Sequence, residues 1–209
     1  MKQMLFISLA YLIAYLIGGI PTSFIAGKIK GVDITKHGSG NAGATNALRV
    51  LGTQIGVTVM LLDAIKGVIA ILLGRWLIQL SGIEISQVYD ITFGLTAILG
   101  HVFSIYLKFK GGKGVATAAG VYALLSPYTM LIALTAFIFV VAISRYVSLG
   151  SITAALVLVV SQFVVNYFNE FAQLPLLILT IFVATFIIIK HKENIKRLIN
   201  GNENKLKFK

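Results

Sequence analysis

Four short polar segments interrupt an otherwise apolar chain, and their residue types suit one chemistry, the holding of anions. The first is His37-Gly38-Ser39-Gly40-Asn41-Ala42-Gly43-Ala44-Thr45-Asn46, closed three residues later by Arg49. Glycines let consecutive backbone N–H groups converge, Ser, Thr and Asn add short neutral donors, and Arg49 adds a fixed charge with a bidentate fork. The second begins at Gly100-His101-Val102-Phe103-Ser104 and continues as Lys108-Phe109-Lys110-Gly111-Gly112-Lys113-Gly114-Val115-Ala116-Thr117, leading straight into a helix. Helix N-termini attract anions through unpaired N–H groups and the helix dipole. The third is Ser144-Arg145-Tyr146-Val147-Ser148-Leu149-Gly150-Ser151, and the fourth is His191-Lys192-Glu193-Asn194-Ile195-Lys196-Arg197. If the fourth continues as a helix, His191, Asn194 and Arg197 follow one another at i,i+3 and form a slanting polar stripe. A phosphate or carboxylate compound is the expected guest.

The elements that position these segments follow from composition. Of 209 residues 57% are hydrophobic and 12% charged, and the mean hydropathy is +0.91, which fits an integral membrane protein and not a single water-soluble domain. The chain has no cysteine, which excludes disulfides, thiolate metal sites and a cysteine nucleophile. The formal net charge of +11 does not indicate nucleic acid, because no polar segment is long enough to present a basic face. A cleaved signal peptide is not expected at the N-terminus.

Apolar runs near bilayer length predict an all-α, polytopic bundle of about seven transmembrane helices. They cover about residues 4–25, 52–77, 91–107, 115–125, 128–143, 151–168 and 174–189, and residues 1–209 are read as one membrane domain. The division at Ser126-Pro127 rests on proline, which either kinks or ends a helix, and a five- or six-span reading follows if that join or a short span fails. Lys28, Lys30, Lys36 and Arg49, then Lys108, Lys110 and Lys113, then Arg145, and finally Lys190, Lys192, Lys196, Arg197, Lys205, Lys207 and Lys209 all fall on one side of this topology. Glu84, Asp90 and Glu170 fall on the other, with Lys2 and Arg75 as basic exceptions. Lysine and arginine collect in cytoplasmic loops, so the N-terminus is expected outside and the C-terminus inside. The four polar segments then share the cytoplasmic face.

Each feature also has a plainer explanation. Basic residues beside spans commonly serve topology alone, and glycines such as Gly18, Gly19 and Gly94 suit helix packing. His101, among apolar neighbours, reads as a hydrogen-bonded structural residue, while His191 suits either a ligand contact or an interfacial position. Gly38-Ser39-Gly40-Asn41-Ala42-Gly43 satisfies G-x-G-x-x-G, but a membrane span precedes it where a dinucleotide fold needs a strand. Lys-Gly-Gly-Lys-Gly is not a Walker A loop, since Leu107 stands where the first glycine belongs and Gly114 follows Lys113. Asp63 and Lys66, three apart within an apolar run, are either mutually paired or part of a polar pathway. The pathway alternative keeps an anion transporter open, and the lysine-rich tail keeps a lipid-binding scaffold open.

Together the segments resemble the bacterial acyl-phosphate:glycerol-3-phosphate acyltransferases, with Gly19-Ile20-Pro21-Thr22-Ser23 as a further match, over nearly the whole chain. The resemblance implies a multi-pass enzyme of the bacterial cell membrane that transfers a fatty acyl group from acyl phosphate to the 1-hydroxyl of glycerol 3-phosphate. The products are lysophosphatidic acid and phosphate, and the step opens phospholipid synthesis. It implies catalytic roles for Ser39, Arg49, Lys113, His191 and Asn194, and substrate contacts from Gly38, Gly40, Asn41, Thr45, Asn46, Gly111, Gly112, Gly114 and Ser151. Membrane lipid and the enzyme that makes acyl phosphate are its implied partners; no metal, cofactor or nucleic acid is expected. Ser39 and nearby N–H groups would hold the acyl phosphate, and Arg49 and Lys113 would neutralise phosphate. Ser151, His191 and Asn194 would orient glycerol 3-phosphate, with either His191 or a substrate phosphate taking the proton. The His-x-x-x-x-Asp pair of other acyltransferases is absent, because Ala42, Tyr106 and Lys196 stand five residues after His37, His101 and His191.

Overall fold

The computed structural model describes residues 1–206; Lys207 and Lys209, counted above among the tail cations, lie outside the described residues. These residues contain ten α-helices and no strand: α1 Lys2–Gly19, α2 Thr22–Ile29, α3 Ala44–Leu51, α4 Thr53–Leu80, α5 Gln87–Val102, α6 Val115–Leu125, α7 Pro127–Ser144, α8 Val147–Phe168, α9 Leu174–Lys190 and α10 Lys192–Ile199. Every expected apolar run contains an α-helix. By length and apolarity α1, α4, α7, α8 and the stretch Gln87–Leu107 built on α5 are long enough to cross a membrane, and α9 with α10 passes as a pair bent by 58°. The eleven-residue α6 is shorter.

The first apolar run breaks at Ile20-Pro21 and does not continue to Ile25. Ile20 has φ −52° and ψ 118°, outside the helical region as expected before a proline. Proline acts differently at Pro127, where it occupies the first turn of α7 and donates no N–H that the helix needs. Asp90, expected in a loop, lies on α5 and forms a bidentate pair with Arg75 of α4, Nε to Oδ1 at 2.6 Å and Nη2 to Oδ2 at 2.8 Å.

Two compact units divide at Leu125 and Ser126. In the first, α4 carries a stripe of Gly56, Val59, Asp63, Gly67, Ala70 and Gly74 at three- and four-residue steps, with Lys66 beside Gly67, all buried. Its other face exposes Leu61, Leu62, Ile65, Leu72 and Trp76. Lipid is as apolar as leucine, so small and polar residues mark the packed face. At the α1 and α5 crossing a Cβ on Gly18 would strike the Ala97 backbone and one on Gly100 the Tyr15 carbonyl. The amphipathic α3 seats Ala47 on Ile34 and Val59. In the second unit the buried Gln162 of α8 accepts from Ser126 Oγ at 3.0 Å and Thr129 Oγ1 at 3.3 Å, fixing the start of α7.

Candidate active site

The segment Gly38 to Arg49 is half loop and half helix, which corrects the expectation of a continuous loop. Residues 37–43 turn, and Ala44 onward is α3, placing Arg49 in the last turn of a helix. Asn46 holds the turn together. Its buried side chain accepts Ser39 N–H at 2.9 Å through Oδ1, and its Nδ2 donates to the carbonyls of Ile34 at 3.0 Å and His37 at 3.1 Å. These three hydrogen bonds within the protein make Asn46 a clamp for the loop. Gly38, at φ +62°, must be glycine because a Cβ there would strike the Asn46 Oδ1.

Two N–H groups expected to face an anion are likewise engaged: Ser39 N–H by Asn46, and Gly40 N–H by the His37 carbonyl at 3.0 Å. The Ser39 side chain is exposed, and Asn41 and Thr45 are half-buried. Ala44 and Thr45, at the start of α3, carry N–H groups that no helical carbonyl can reach. At the other end of this segment Asp33 accepts from Thr35 Oγ1 at 2.7 Å and Thr35 N at 3.1 Å. Those bonds, with Lys36 and Lys28 nearby, hold its carboxyl below the usual range.

The second glycine segment folds back on the end of α5. Gly111 N–H donates to the Val102 carbonyl at 3.0 Å and Gly112 N–H to the His101 carbonyl at 3.1 Å, after a turn in which Lys108 and Phe109 both take positive φ. A Cβ on Gly111 would collide with the His101 carbonyl, and one on Gly112 with His101 Nε2. This register delivers Lys113, half-buried, and Gly114, at φ +85°, to the start of α6.

Between the loops, Gly19 to Thr22, Ala42, Asp63, Lys66, His101, Ser104, Leu107, Gly111 and Gly112 close around one small recess. The two glycine segments of the first unit therefore meet, at the break that Pro21 makes. Lys66 Nζ lies 2.7 Å from Asp63 Oδ1 and donates to the Ile20 carbonyl at 2.8 Å; Thr22 Oγ1 donates to Asp63 Oδ1 at 2.6 Å. His101 Nδ1 stands 3.6 Å from the same oxygen. Asp63 and Lys66 are mutually paired, the structural alternative for them. Thr22 carries no separate signal in the sequence, because its partner is 41 positions away.

The second unit carries the other two segments. Arg145 ends α7 at φ +62°, and Ser151, buried on α8, donates its hydroxyl to the Val147 carbonyl at 2.9 Å. His191 sits at the bend between α9 and α10, 3% exposed. Its Nδ1 is 2.8 Å from the Ile187 carbonyl, which can only accept, so Nδ1 carries a hydrogen, and a neutral ring in this tautomer has its lone pair on Nε2. Asn194 Nδ2 donates to Glu203 Oε1 at 2.8 Å, and Arg197 Nε to Glu203 Oε2 at 2.7 Å. Among the described residues no group of three or more His, Cys, Asp or Glu gathers to hold a metal.

Comparison with known proteins decides the family. The sequence profile described as glycerol-3-phosphate acyltransferase matches residues 8–201. The chain belongs to the glycerol-3-phosphate acyltransferase family. It is 46% identical to the glycerol-3-phosphate acyltransferase of Trichlorobacter lovleyi over 93% of this chain and 94% of that one. The enzyme of the same name from Fusobacterium nucleatum is 43% identical over 94% and 96%. Among solved structures, PlsY (YgiH), an integral membrane glycerol 3-phosphate acyltransferase in its glycerol 3-phosphate form, superposes with a TM-score of 0.85 at 38% identity over 96% of each chain. Its lysophosphatidic acid form gives 0.82, again at 38% identity, over 96% of this chain and 95% of that one. The family is the one the four polar segments resemble, and this glycerol-3-phosphate acyltransferase is an all-helical integral membrane protein.

Proposed function

We propose that this acyltransferase moves a fatty acyl group from acyl phosphate directly to the 1-hydroxyl of glycerol 3-phosphate, releasing lysophosphatidic acid and phosphate. The observation that carries the reading is the meeting of the two glycine segments beside Asp63, Lys66 and His101, with Arg49 and Lys113 on those same segments. Two phosphate-bearing substrates need cationic, N–H-rich surroundings next to lipid, and a donor that is already a mixed anhydride needs no strong base. The absence of a His-x-x-x-x-Asp pair fits such a donor. The solved relative's glycerol 3-phosphate and lysophosphatidic acid forms support the acceptor and the product.

In the proposed step the hydroxyl oxygen attacks the acyl carbonyl, the bond from that carbon to the phosphate oxygen breaks, and phosphate departs with the electron pair. Ser39 Oγ and the Ala44 and Thr45 N–H groups steady the donor, with Gly38, Gly40 and Asn41 shaping the turn around them. Arg49 and Lys113 balance the phosphate charge, and Gly111, Gly112 and Gly114 set the backbone from which Lys113 projects. Ser151, His191 and Asn194 orient glycerol 3-phosphate. The hydroxyl proton passes to His191 Nε2 or to a phosphate oxygen. Holding both reactants supplies much of the rate, since effective molarities reach about 10⁵ M and more.

Seven spans, an outside N-terminus and a cytoplasmic site at the bacterial cell membrane complete the proposal, supported by the basic residues that cluster in alternate connections. The enzyme that makes acyl phosphate is its proposed partner. The test is purified protein in lipid vesicles with glycerol 3-phosphate and one donor at a time: acyl phosphate, acyl-CoA or acyl carrier protein. Lysophosphatidic acid is expected from acyl phosphate alone; formation from a thioester and none from acyl phosphate overturns the proposal.

A further inference from the structure

Glu203 is the acidic residue of a tail otherwise rich in lysine, and its carboxylate is buried, 6% exposed. Both oxygens are used. Oε1 accepts from Ser148 Oγ at 2.9 Å and from Asn194 Nδ2 at 2.8 Å, and Oε2 accepts from Arg197 Nε at 2.7 Å. One side chain thereby ties the first turn of α8 to two successive turns of α10.

The tail that carries it is itself anchored. Asn202 N–H donates to the Arg197 carbonyl at 2.8 Å and Leu206 N–H to the Arg145 carbonyl at 2.8 Å, while Lys205 Nζ lies 5.4 Å from the centre of the Tyr146 ring. Residues 201–206 form a strap from the end of α10 to the start of α8. A strap is needed, because α10 has eight residues and follows a 58° bend at His191; a helix that short does not hold a direction without tertiary contacts.

We propose that Glu203 is a positioning residue for acyl transfer, whose carboxylate sets the Asn194 amide and the Arg197 guanidinium in the orientation that receives glycerol 3-phosphate. This rests on the reading above that Asn194 orients that substrate. The chemistry of the groups gives the reason. An ionised carboxylate only accepts, so it draws the NH₂ end of Asn194 and removes the twofold ambiguity of the amide. Burial raises the Glu203 carboxyl, but hydrogen bonds from Asn194, Arg197 and Ser148 and the charge of Arg197 lower it further, leaving it below its ordinary value and ionised at neutral pH. A strap serving stability alone could close on apolar side chains; burying a charge against Asn194 fixes a direction in addition.

The test is steady-state transfer by the full-length protein in lipid vesicles, using whichever of acyl phosphate, acyl-CoA or acyl carrier protein the wild type accepts. E203Q keeps the shape but replaces one of the two acceptor oxygens with an NH₂ donor, which must then face either Arg197 Nε or Asn194 Nδ2. Its KM for glycerol 3-phosphate is expected to rise about tenfold or more, the scale of a lost hydrogen bond to a charged group, while KM for the donor stays within about twofold. S148A removes one hydrogen bond and keeps the carboxylate, and should shift the same constant less. An equal change in both KM values, or a lower melting temperature with both unchanged, overturns the proposal. If E203Q does not fold, S148A decides: a selective rise supports the proposal and no change overturns it. N194A separates the underlying reading, since an unchanged KM for glycerol 3-phosphate in N194A removes the role of Asn194 and the proposal with it. A rise in N194A with none in E203Q removes Glu203 alone. Because the donor is chosen by the wild type, failure of the acyl phosphate reading leaves this comparison intact.

Discussion

Lys66 Nζ and Asp63 Oδ1 lie 2.7 Å apart one turn along α4, their side chains 6% and 1% exposed. Thr22 Oγ1 and the Ile20 carbonyl complete the shells of the two charges, so the pair bolts the broken end of α1 and the start of α2 to α4. Removing one partner strands the other charge. Lys66→Met is expected to cost about 3–5 kcal/mol, and the double variant with Asp63→Asn distinctly less than the sum of the two single losses. Thermal unfolding of the four proteins in detergent checks this; additive losses contradict the pairing.

Asn46 is expected to act on catalysis only through the loop it clamps. Asn46→Ala leaves Ser39 N–H and the Ile34 and His37 carbonyls without this partner, the buried one at Ile34 costing about 1–3 kcal/mol. Proteolysis of the 37–43 turn should speed up in this variant, and kcat should fall together with the loss of protection. Activity lost with the turn equally protected would mean that Asn46 touches substrate.

Gly112 and His101 form a steric pair. Gly112→Ala places a methyl group against His101 Nε2, displacing the loop that presents Lys113; misplacement on the scale of 1 Å costs about 10²-fold in rate. Adding His101→Ala opens the space and should restore part of the rate, measured as lysophosphatidic acid formed. Partial and not full recovery is expected because His101 also faces Asp63 at 3.6 Å. A normal rate in Gly112→Ala contradicts the fit.

How much of this the sequence reveals depends on the range of the interaction. Apolar runs report their own burial, so α1 and α4 to α9 are all legible, the short α6 included, and Pro127 marks its boundary. Pro21 lies inside an apolar run that continues past it, and hydropathy does not register the break. The half-helical character of Gly38 to Arg49 is hidden because glycine, serine and asparagine dominate its first half, while Ala44 to Leu51 takes its helix from packing of Ala47 on Ile34 and Val59. Anion-binding types are visible in loops, but which N–H groups are already taken is not, since Asn46 reaches Ser39 across a turn. Glu203 is the extreme case: Ser148 is 55 positions away, and no local pattern marks one acid in a basic tail.

The lowered Glu203 carboxyl gives a pH signature. A carboxyl whose folded value lies below its unfolded value of 4.5 adds stability that is present above about that pH and is lost as pH falls through the lower folded value. The stability difference between wild type and E203Q should therefore be constant from about pH 7 to about pH 5 and should shrink only below. Thermal unfolding across this series checks it, and a gap that closes near neutrality contradicts the assignment.

Direct transfer is tested most plainly by phosphate release from acyl phosphate in a rapid-mixing experiment with and without glycerol 3-phosphate. No phosphate is expected until the acceptor is added, after which phosphate and lysophosphatidic acid should appear together in equal amounts. A burst of phosphate equal to the enzyme concentration in the absence of acceptor, with an acyl group left on Ser39, would contradict the account.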